Sequence, residues 1–275
     1  MINKKLFIPN DEYRNMEGVA NSDLMMVQRN PSDYIWSKNA PRDASKSTVA
    51  DFGTALHTAL LEPDNFDSQV LESSVAGRTT KKFAQEVIEN PGMIVLTADE
   101  IKQVKNMQTS GMAHPMFAQL MNAKGDRESS IFAEDKERGI VLKIRPDIDH
   151  YESRGALTDV KSTANLGDWR QAVEWKNPLF IHNYGHTAAF YMYAASLFYG
   201  EDVSIYHFAA LQKSVEFGRY PVGVFTITRS ECEDYGFWSQ MLNNLDTYAE
   251  CFHSNEWVYD ERFPQFRTVE SMELS

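Results

Sequence analysis

The chain is poor in cysteine, has no long apolar run and carries fewer basic than acidic residues. Its two cysteines, Cys232 and Cys251, are too few for a four-cysteine iron–sulfur site and favour a reducing compartment. No stretch of about 18 apolar residues is present, and the N-terminus lacks a signal-peptide core with a cleavage site, so we expect a soluble, cytoplasmic protein with no membrane partner. Linkers rich in Pro, Gly or Ser, internal repeats and low-complexity segments are also absent, which predicts one compact domain over residues 1–275.

The shortage of basic residues bears on any nucleic-acid function. The 39 acidic residues outnumber the 27 Lys and Arg, giving a net charge of −12, whereas phosphate contacts need local positive charge. A protein that encloses DNA can gather its basic residues along an inner channel, so the net charge does not exclude DNA as a partner. Candidate phosphate contacts are Arg78, Lys81 and Lys82, at a turn that leads into a helix N-terminus. The alternative for these three residues is an ordinary solvated helix start.

Hydrophobic periodicity and capping signals predict an α/β protein with helical additions. Asn21 or Ser22 begins a helix that runs towards Trp36, and the segment Thr97–Glu100 is a capping box that opens a helix ending near Met121. Further helices are predicted at about residues 49–61, 183–199 and 229–253, and strands at 128–134, 139–149, 156–162, 203–208 and 220–227.

Two of these strands carry carboxylates and a lysine in an arrangement suited to hydrolysis. Gly155 lies at the turn between them and allows them to pair, which brings Asp147 towards Asp159. Side chains alternate along a strand, so Asp159 and Lys161 share a face. Converging carboxylates attract a hard cation such as Mg²⁺, either one ion or two, and the lysine can orient or deprotonate the attacking water. Taken alone, the same pattern also fits a solvated turn between strands.

Further segments match a known family in the same order along the chain. The chain resembles the C-terminal nuclease domain of RecE (exonuclease VIII), in the RecB-like branch of the PD-(D/E)xK nucleases. The matching segments are Ile8–Tyr13, Trp36–Pro41, Phe52–His57, Leu61–Pro63, Glu128–Ile131, Arg145–Asp147, Asp159–Thr163, Gly218–Val222 and Asn255–Trp257.

This resemblance implies both a fold and an activity. The fold is a restriction-endonuclease-like core, a central mixed β-sheet flanked by helices, over about residues 126–275, with a helical addition over about residues 1–125. The activity is that of a Mg²⁺-dependent exonuclease, with Mn²⁺ as a substitute metal, that degrades double-stranded DNA from 5′ ends, releases 5′-phosphates and leaves 3′ single-stranded tails for recombination. The resemblance also implies a toroidal homotetramer, a RecT-type single-strand annealing partner and a phage or prophage origin.

The family's central site residues map onto the two strands. Asp147 and Asp159 correspond to the metal-binding carboxylates, the Val160 carbonyl to an additional ligand, and Lys161 to the catalytic lysine. In this interpretation the metal polarises the scissile phosphate while Lys161 positions the attacking water.

Two further metal ligands are implied upstream. His57 matches a histidine ligand of RecB-like nucleases, although a lone histidine on an amphipathic helix more often has a structural role. Glu128 fits an acidic position ahead of the aspartates, where it would hold a second ion or reach it through water. The alternative for Glu128 is an exposed glutamate at the start of a strand.

One segment departs from the family. Related nucleases carry a Gln and, four residues later, a Tyr on the helix that follows the lysine strand. Tyr191 matches the Tyr, but Thr187 occupies the Gln position, with His186 beside it. Thr187 or His186 replaces the substrate contact, or the contact is lost; Tyr191 could equally be part of an aromatic core. Two alternatives to the exonuclease therefore stay open: a structure- or sequence-specific endonuclease, and a DNA-end-binding recombination accessory protein with a weakened site.

Overall fold

The computed structural model describes residues 3–41, 48–171 and 176–257, and these ranges contain ten β-strands and thirteen α-helices. The strands are β1 Lys4–Leu6, β2 Val70–Glu72, β3 Ile94–Leu96, β4 Asp126–Arg127, β5 Ser130–Asp135, β6 Ile140–Ile144, β7 Ile148–Asp149, β8 Ala156–Thr163, β9 Ile205–Gln212 and β10 Val222–Thr228. The helices are α1 Asn10–Asn15, α2 Asn21–Arg29, α3 Pro31–Asn39, α4 Thr48–Leu61, α5 Phe66–Gln69, α6 Lys81–Glu89, α7 Ala98–Ala113, α8 Pro115–Asn122, α9 Tyr151–Arg154, α10 Pro178–Ile181, α11 Tyr184–Tyr199, α12 Arg229–Asp234 and α13 Phe237–Ser254.

A mixed sheet of five strands forms the centre of the fold. Its order is β10-β9-β8-β7-β4, in which β8 and β9 are parallel and the other neighbours are antiparallel. A second sheet has the order β1-β5-β6, and β2 and β3 form a separate parallel pair.

The two larger sheets are joined by one irregular crossing, which the sequence pattern did not predict. The predicted strand 139–149 is interrupted between β6 and β7, and the predicted strand 128–134 begins only at Ser130, after a break that separates β5 from β4. As a result β5 and β6 pair in one sheet while β4 and β7 lie in the other. Pro146 has no N–H for a continued ladder, and Glu128 has a positive φ of 51°, so neither segment stays regular. The Glu128 N–H nevertheless donates to the Asp147 carbonyl at 3.1 Å, which holds the two interruptions side by side.

Helices cover both faces of the central sheet. On one face, α11 and α13 pack over Leu157, Tyr206 and Phe208; on the other, α4, α7 and α8 pack over Val160 and Leu211. The predicted class, a central mixed sheet flanked by helices, is confirmed. Among the described residues, no helix combines the length and the apolar character needed to cross a bilayer.

Three predicted helices are each divided in two, and the chain chemistry explains where. The capping box of Thr97 and Glu100 is present as predicted, but the helix stops before Pro115, whose ring is incompatible with the preceding turn. Pro31 separates α2 from α3 in the same way, and α2 is capped by the Asp23 side chain on the Ala20 N–H rather than by Asn21 or Ser22. The last helix is interrupted at Gly236, which has a φ of 78°.

Candidate active site

Asp147 lies where the chain leaves the second sheet and enters the central one. The antiparallel register of β7 on β8 pairs Ile148 with Thr158, which places Asp147 next to Asp159. Asp147 is buried, with its side chain 9% exposed, and its carboxylate accepts a hydrogen bond from the Val160 N–H at 2.5 Å. Burial would raise the pKa of Asp147, but His57, Lys161 and the Val160 N–H lower it to about 2. Asp147 is therefore an anion at any working pH.

Asp159 and Lys161 share one face of β8, as the alternation predicted. The Lys161 ammonium contacts the Asp159 carboxylate directly and lies 5.2 Å from the centre of the Tyr184 ring. Burial raises the pKa of Asp159 to about 7, with Asp147 adding to the rise and Lys161 opposing it. Burial would lower the pKa of Lys161, but the charges of Asp159 and Asp147 raise it above its ordinary value. Without a metal, Lys161 is therefore a hydrogen-bond donor and not a proton acceptor.

His57 reaches the same place from the opposite side, on α4. Its Nδ1 atom lies 3.5 Å from Oδ1 of Asp147. Burial would lower the pKa of His57, but the Asp147 carboxylate raises it to about 9. The metal-free protein thus holds a cationic imidazole against an anionic carboxylate.

Glu128 completes the cluster, and its side chain is held by a residue to which the sequence assigned no role. Arg145 Nε donates to Glu128 Oε2 at 2.7 Å, while its Nη1 donates to Ser130 Oγ and to the Ile8 carbonyl at 2.7 and 2.8 Å. Burial and the nearby Asp147 raise the pKa of Glu128, with Arg145 opposing that rise. The alternation along the predicted strand 139–149 could show only which face Arg145 would occupy, because its partners come from distant segments.

These side chains fit a divalent cation. One ligand atom each from His57, Glu128 and Asp147 lies within 4.8 Å of the other two, whereas ligand atoms around one octahedral ion with bonds of about 2.1 Å are roughly 3 to 4 Å apart. Binding of one ion would therefore draw these ligand atoms together by about 1 Å. One imidazole and two carboxylates suit Mg²⁺ or Mn²⁺. Asp159 lies outside this cluster, and its carboxylate contacts the Lys161 ammonium. Its role as a ligand stays a prediction, as does that of the Val160 carbonyl.

If His57 is a ligand, metal binding must displace its proton. The pKa of His57 is raised to about 9, so we expect the affinity for Mn²⁺ to fall as the pH drops from 9 to 7.5, by up to about tenfold per unit for one displaced proton. His57→Ala should bind Mn²⁺ more weakly at pH 8.5 and show a flat pH dependence in this window. Calorimetric titration measures both, with His207→Ala as the control, because the His207 ring bonds Thr226 Oγ1 at 2.8 Å and is not part of the cation cluster. An unchanged curve for His57→Ala returns His57 to a structural role.

Thr187, at the position of the family's Gln, and His186 beside it occupy different environments. His186 is fully buried, with Nδ1 bonded to Asn21 Oδ1 at 2.9 Å and Nε2 to Asn244 Nδ2 at 3.0 Å. Burial lowers the pKa of His186 to about 4, so the ring is neutral, and a contact with substrate would require breaking this bridge. The Thr187 hydroxyl accepts a hydrogen bond from Asn21 and donates to the Asn183 carbonyl.

Tyr191 contacts the chain segment that carries Asp147. Its hydroxyl is 3.5 Å from the Arg145 carbonyl, and its ring meets Tyr206 edge to face. Burial first, and then the charges of Asp159 and Asp147, raise the pKa of Tyr191 well above its ordinary value. Tyr191 therefore belongs both to the aromatic core and to the wall of the site.

The three basic residues proposed as phosphate contacts divide into two kinds. Arg78 is committed to internal ion pairs, with Glu100 at 2.6 Å and Asp51 at 3.7 Å. Lys81 and Lys82 are exposed in the first turn of α6, after the Thr80 cap. A phosphate contact by the two lysines stays a prediction. To contact a phosphate, Arg78 would have to give up its ion pairs with Glu100 and Asp51.

Comparison with known proteins agrees with this fold. The family model described as a PDDEXK-like domain of unknown function (DUF3799) matches residues 23–258. No curated protein sequence matches the chain. The fold is similar to that of a protein from Eubacterium rectale named as a candidate exonuclease, with a TM-score of 0.60, 15% identity and coverage of 98% of both chains. A phage-related exonuclease from Haemophilus somnus gives a TM-score of 0.36 at 12% identity, covering 89% of this chain and 99% of that one, a likeness too weak to support an argument. Asp147, Asp159 and Lys161 converge on neighbouring strands. Because the family model also matches most of the chain, the chain belongs to the PDDEXK-like family DUF3799.

Proposed function

We propose that this protein is a Mg²⁺-dependent 5′-to-3′ exonuclease of the RecE type, acting on double-stranded DNA. The observation that carries the proposal is the convergence of Asp147, Asp159 and Lys161 on neighbouring strands, with His57 and Glu128 completing a divalent-cation cluster beside them. Membership of a PDDEXK-like family supports nuclease chemistry at this place. The direction of digestion and the double-stranded substrate come from the sequence resemblance to RecE.

The hydrolysis follows from the charges of the site. When bound, a divalent cation polarises the scissile phosphate and stabilises negative charge in the transition state. Lys161 remains an ammonium and donates a hydrogen bond to the attacking water or to a phosphate oxygen. The Asp159 carboxylate contacts the ammonium and fixes its position, while the Val160 N–H fixes Asp147 and Arg145 fixes Glu128. Water attacks phosphorus and loses a proton to solvent, while the bond to the 3′ oxygen breaks and that oxygen takes up a proton from solvent to become a hydroxyl. The phosphate stays on the 5′ oxygen of the shortened strand, and the released nucleotide keeps its own 5′-phosphate.

The assembly and the biological setting belong to the same proposal. A ring of four subunits would enclose the duplex and allow many cleavages per encounter, and the 3′ tails would pass to a RecT-type annealing protein encoded by the same phage or prophage. The net charge of −12 fits this arrangement if the basic residues of each subunit line the inside of the ring.

The decisive experiment follows the label on a linear duplex. We expect prompt Mg²⁺-dependent release of acid-soluble label from 5′-labelled DNA, slow release from 3′-labelled DNA, no release in EDTA, and an intact covalently closed circle. Cleavage of the circle would replace the exonuclease with an endonuclease. Binding of DNA ends without any release would favour an accessory protein with an impaired site, and release of the 3′ label first would reverse the direction.

A further inference from the structure

The connection between β9 and β10 places an aromatic residue where the backbone favours a small one. Glu216 and Arg219 pair through two backbone hydrogen bonds of 2.8 and 3.0 Å, and the residues between them, Phe217 and Gly218, have φ values of 50° and 77°. Two central residues with positive φ are the pattern of a type I′ turn, for which Asn-Gly is the favoured sequence. A bulky side chain at the first of these positions costs conformational energy that Asn largely avoids.

No burial of the Phe217 side chain offsets this conformational cost. It is 103% exposed, and every residue from 213 to 219 is exposed. A single exposed apolar residue is common on protein surfaces, but here exposure coincides with an unfavourable backbone conformation. Outliers of this kind concentrate at functional positions, which indicates that the ring serves to contact a ligand.

The hairpin leaves the sheet at the end nearest the candidate active site. Lys161 on β8 is the register partner of Ala210 on β9, and the Lys213 N–H donates to the Thr163 carbonyl at 2.9 Å. Phe217 follows Ala210 by seven residues, which at roughly 3.3 Å per residue is a reach of at most about 23 Å. The tip is therefore no farther than this from Ala210, the partner of Lys161, and is near enough to contact the terminal bases of DNA whose end is bound at the site.

The base of the hairpin is fixed in place by side-chain hydrogen bonds, one of them buried. The Gln212 side chain, 2% exposed, accepts the Leu166 N–H at 2.8 Å and donates to Glu216 Oε1 at 2.6 Å. From α7, Gln103 Nε2 donates to the Lys213 carbonyl at 2.8 Å. These contacts hold the tip in a defined position relative to β8, so the Phe217 ring is already positioned before a ligand binds.

We propose that Phe217 stacks on a nucleobase at the end of the bound DNA, with the exposed Lys213 and Arg219 beside the phosphates. The inference rests on the proposed function for its ligand. Both faces of a base inside a duplex are covered by its neighbours, so a protein ring can stack only on a terminal or unpaired base. Stacking of this kind tolerates any sequence, as an enzyme that digests successive nucleotides requires.

The turn itself supplies a variant that separates stacking from folding. Phe217→Asn introduces the residue that the turn favours, so we expect a thermal midpoint at least equal to that of the wild type. Loss of DNA binding by this variant cannot then be a folding defect. Phe217→Trp keeps a stacking ring, and Phe252→Ala is the matched control, because Phe252 is an aromatic residue 52% exposed on α13.

The measurement compares DNA with and without free ends. Binding is followed with Ca²⁺ in place of Mg²⁺ to suppress cleavage, using fluorescence anisotropy of a short open duplex and competition by a covalently closed circle. We expect Phe217→Asn to bind the open duplex about 5- to 100-fold more weakly and the circle unchanged, while Phe217→Trp and Phe252→Ala behave as the wild type. A terminal 2-aminopurine should be quenched by the wild type and not by Phe217→Asn.

Each contrary result has a distinct meaning. Equal binding of the open duplex by Phe217→Asn and the wild type overturns the stacking proposal, and so does an equal loss on the circle, which would indicate a groove or phosphate contact. If Phe217→Asn differs from the wild type in mass by light scattering but binds DNA equally well, the tip is a contact between copies of the chain, and the proposal is overturned as well. If the wild type binds ends with Phe217-dependent affinity but releases no nucleotide in Mg²⁺, the exonuclease proposal fails and the stacking proposal stands; if it binds no DNA, both fail.

Discussion

Replacing Lys161 with Met should abolish DNA hydrolysis while leaving metal and DNA binding in place. The change removes the only ammonium that the structure places on the Asp159 carboxylate among the described residues, and with it the donor for the attacking water. Removing such a group typically slows turnover by about 10² to 10⁴-fold. Because a positive charge beside the carboxylates opposes cation binding, Lys161→Met should bind Mn²⁺ as tightly as the wild type or up to about tenfold more tightly. Single-turnover cleavage and calorimetric Mn²⁺ titration measure the two effects.

The combination of lost hydrolysis with unchanged or tighter Mn²⁺ binding distinguishes the loss of a catalytic group from a loss of structure. A misfolded variant would lose both activity and metal affinity. Lys143 provides the control, because it is also a buried lysine, 4% exposed, but its ammonium donates to the backbone carbonyls of Arg14 and Met16 at 3.2 and 2.6 Å. Lys143→Met should lower stability by about 1 to 3 kcal/mol and leave the rate per folded molecule unchanged. A Lys161→Met protein that digests DNA at the wild-type rate would remove Lys161 from the mechanism.

Local sequence patterns predicted those parts of the site that depend on local geometry. Alternation along β8 placed Asp159 and Lys161 on one face, and the turn at Gly155 brought Asp147 beside them; both relations are confirmed. The Thr97 capping box was visible for the same reason, since its two partners are three residues apart. Each of these features is determined by residues that are close together in the chain.

Features that depend on distant partners could not be predicted in this way. The Glu128 carboxylate is held by Arg145 across an interrupted hairpin in which Glu128 adopts a positive φ, and no periodic pattern signals such a pair. His186 was a candidate substrate contact by its position next to Thr187, yet its ring bridges Asn21 and Asn244, which lie far from it in sequence. The interruptions of the strands had one visible signal, Pro146, which the alternation of the surrounding residues outweighed.

Replacing Asp147 with Asn should eliminate both metal binding and hydrolysis with little change in the fold. The amide oxygen of Asn can still accept the Val160 N–H that Asp147 now accepts at 2.5 Å, so the local backbone keeps its partner. The cluster with His57 and Glu128 loses its central anion, and a ligand contribution of several kcal/mol corresponds to at least about 10²-fold weaker metal binding. We expect hydrolysis to fall by at least about 10³-fold, measured in single turnover at saturating Mg²⁺.

Asp147→Asn carries a second readout that a loss of structure would not reproduce. The pKa of His57 is raised to about 9 chiefly because Asp147 opposes the effect of burial, so with Asn at this position the pKa should fall below 6.5, the ordinary value for histidine. Histidine NMR titration of the metal-free protein follows this shift directly. Asp149→Asn is the matched control, because Asp149 is a similarly buried carboxylate two residues away whose partners are Lys5, at 2.8 Å, Tyr199 and the Tyr151 N–H, at 3.0 Å. That variant should lose stability by about 1 to 3 kcal/mol yet keep the His57 titration, the Mn²⁺ affinity and the rate of the wild type. If Asp149→Asn lost metal binding and Asp147→Asn kept it, the cation site would have to be placed in the Lys5 cluster instead.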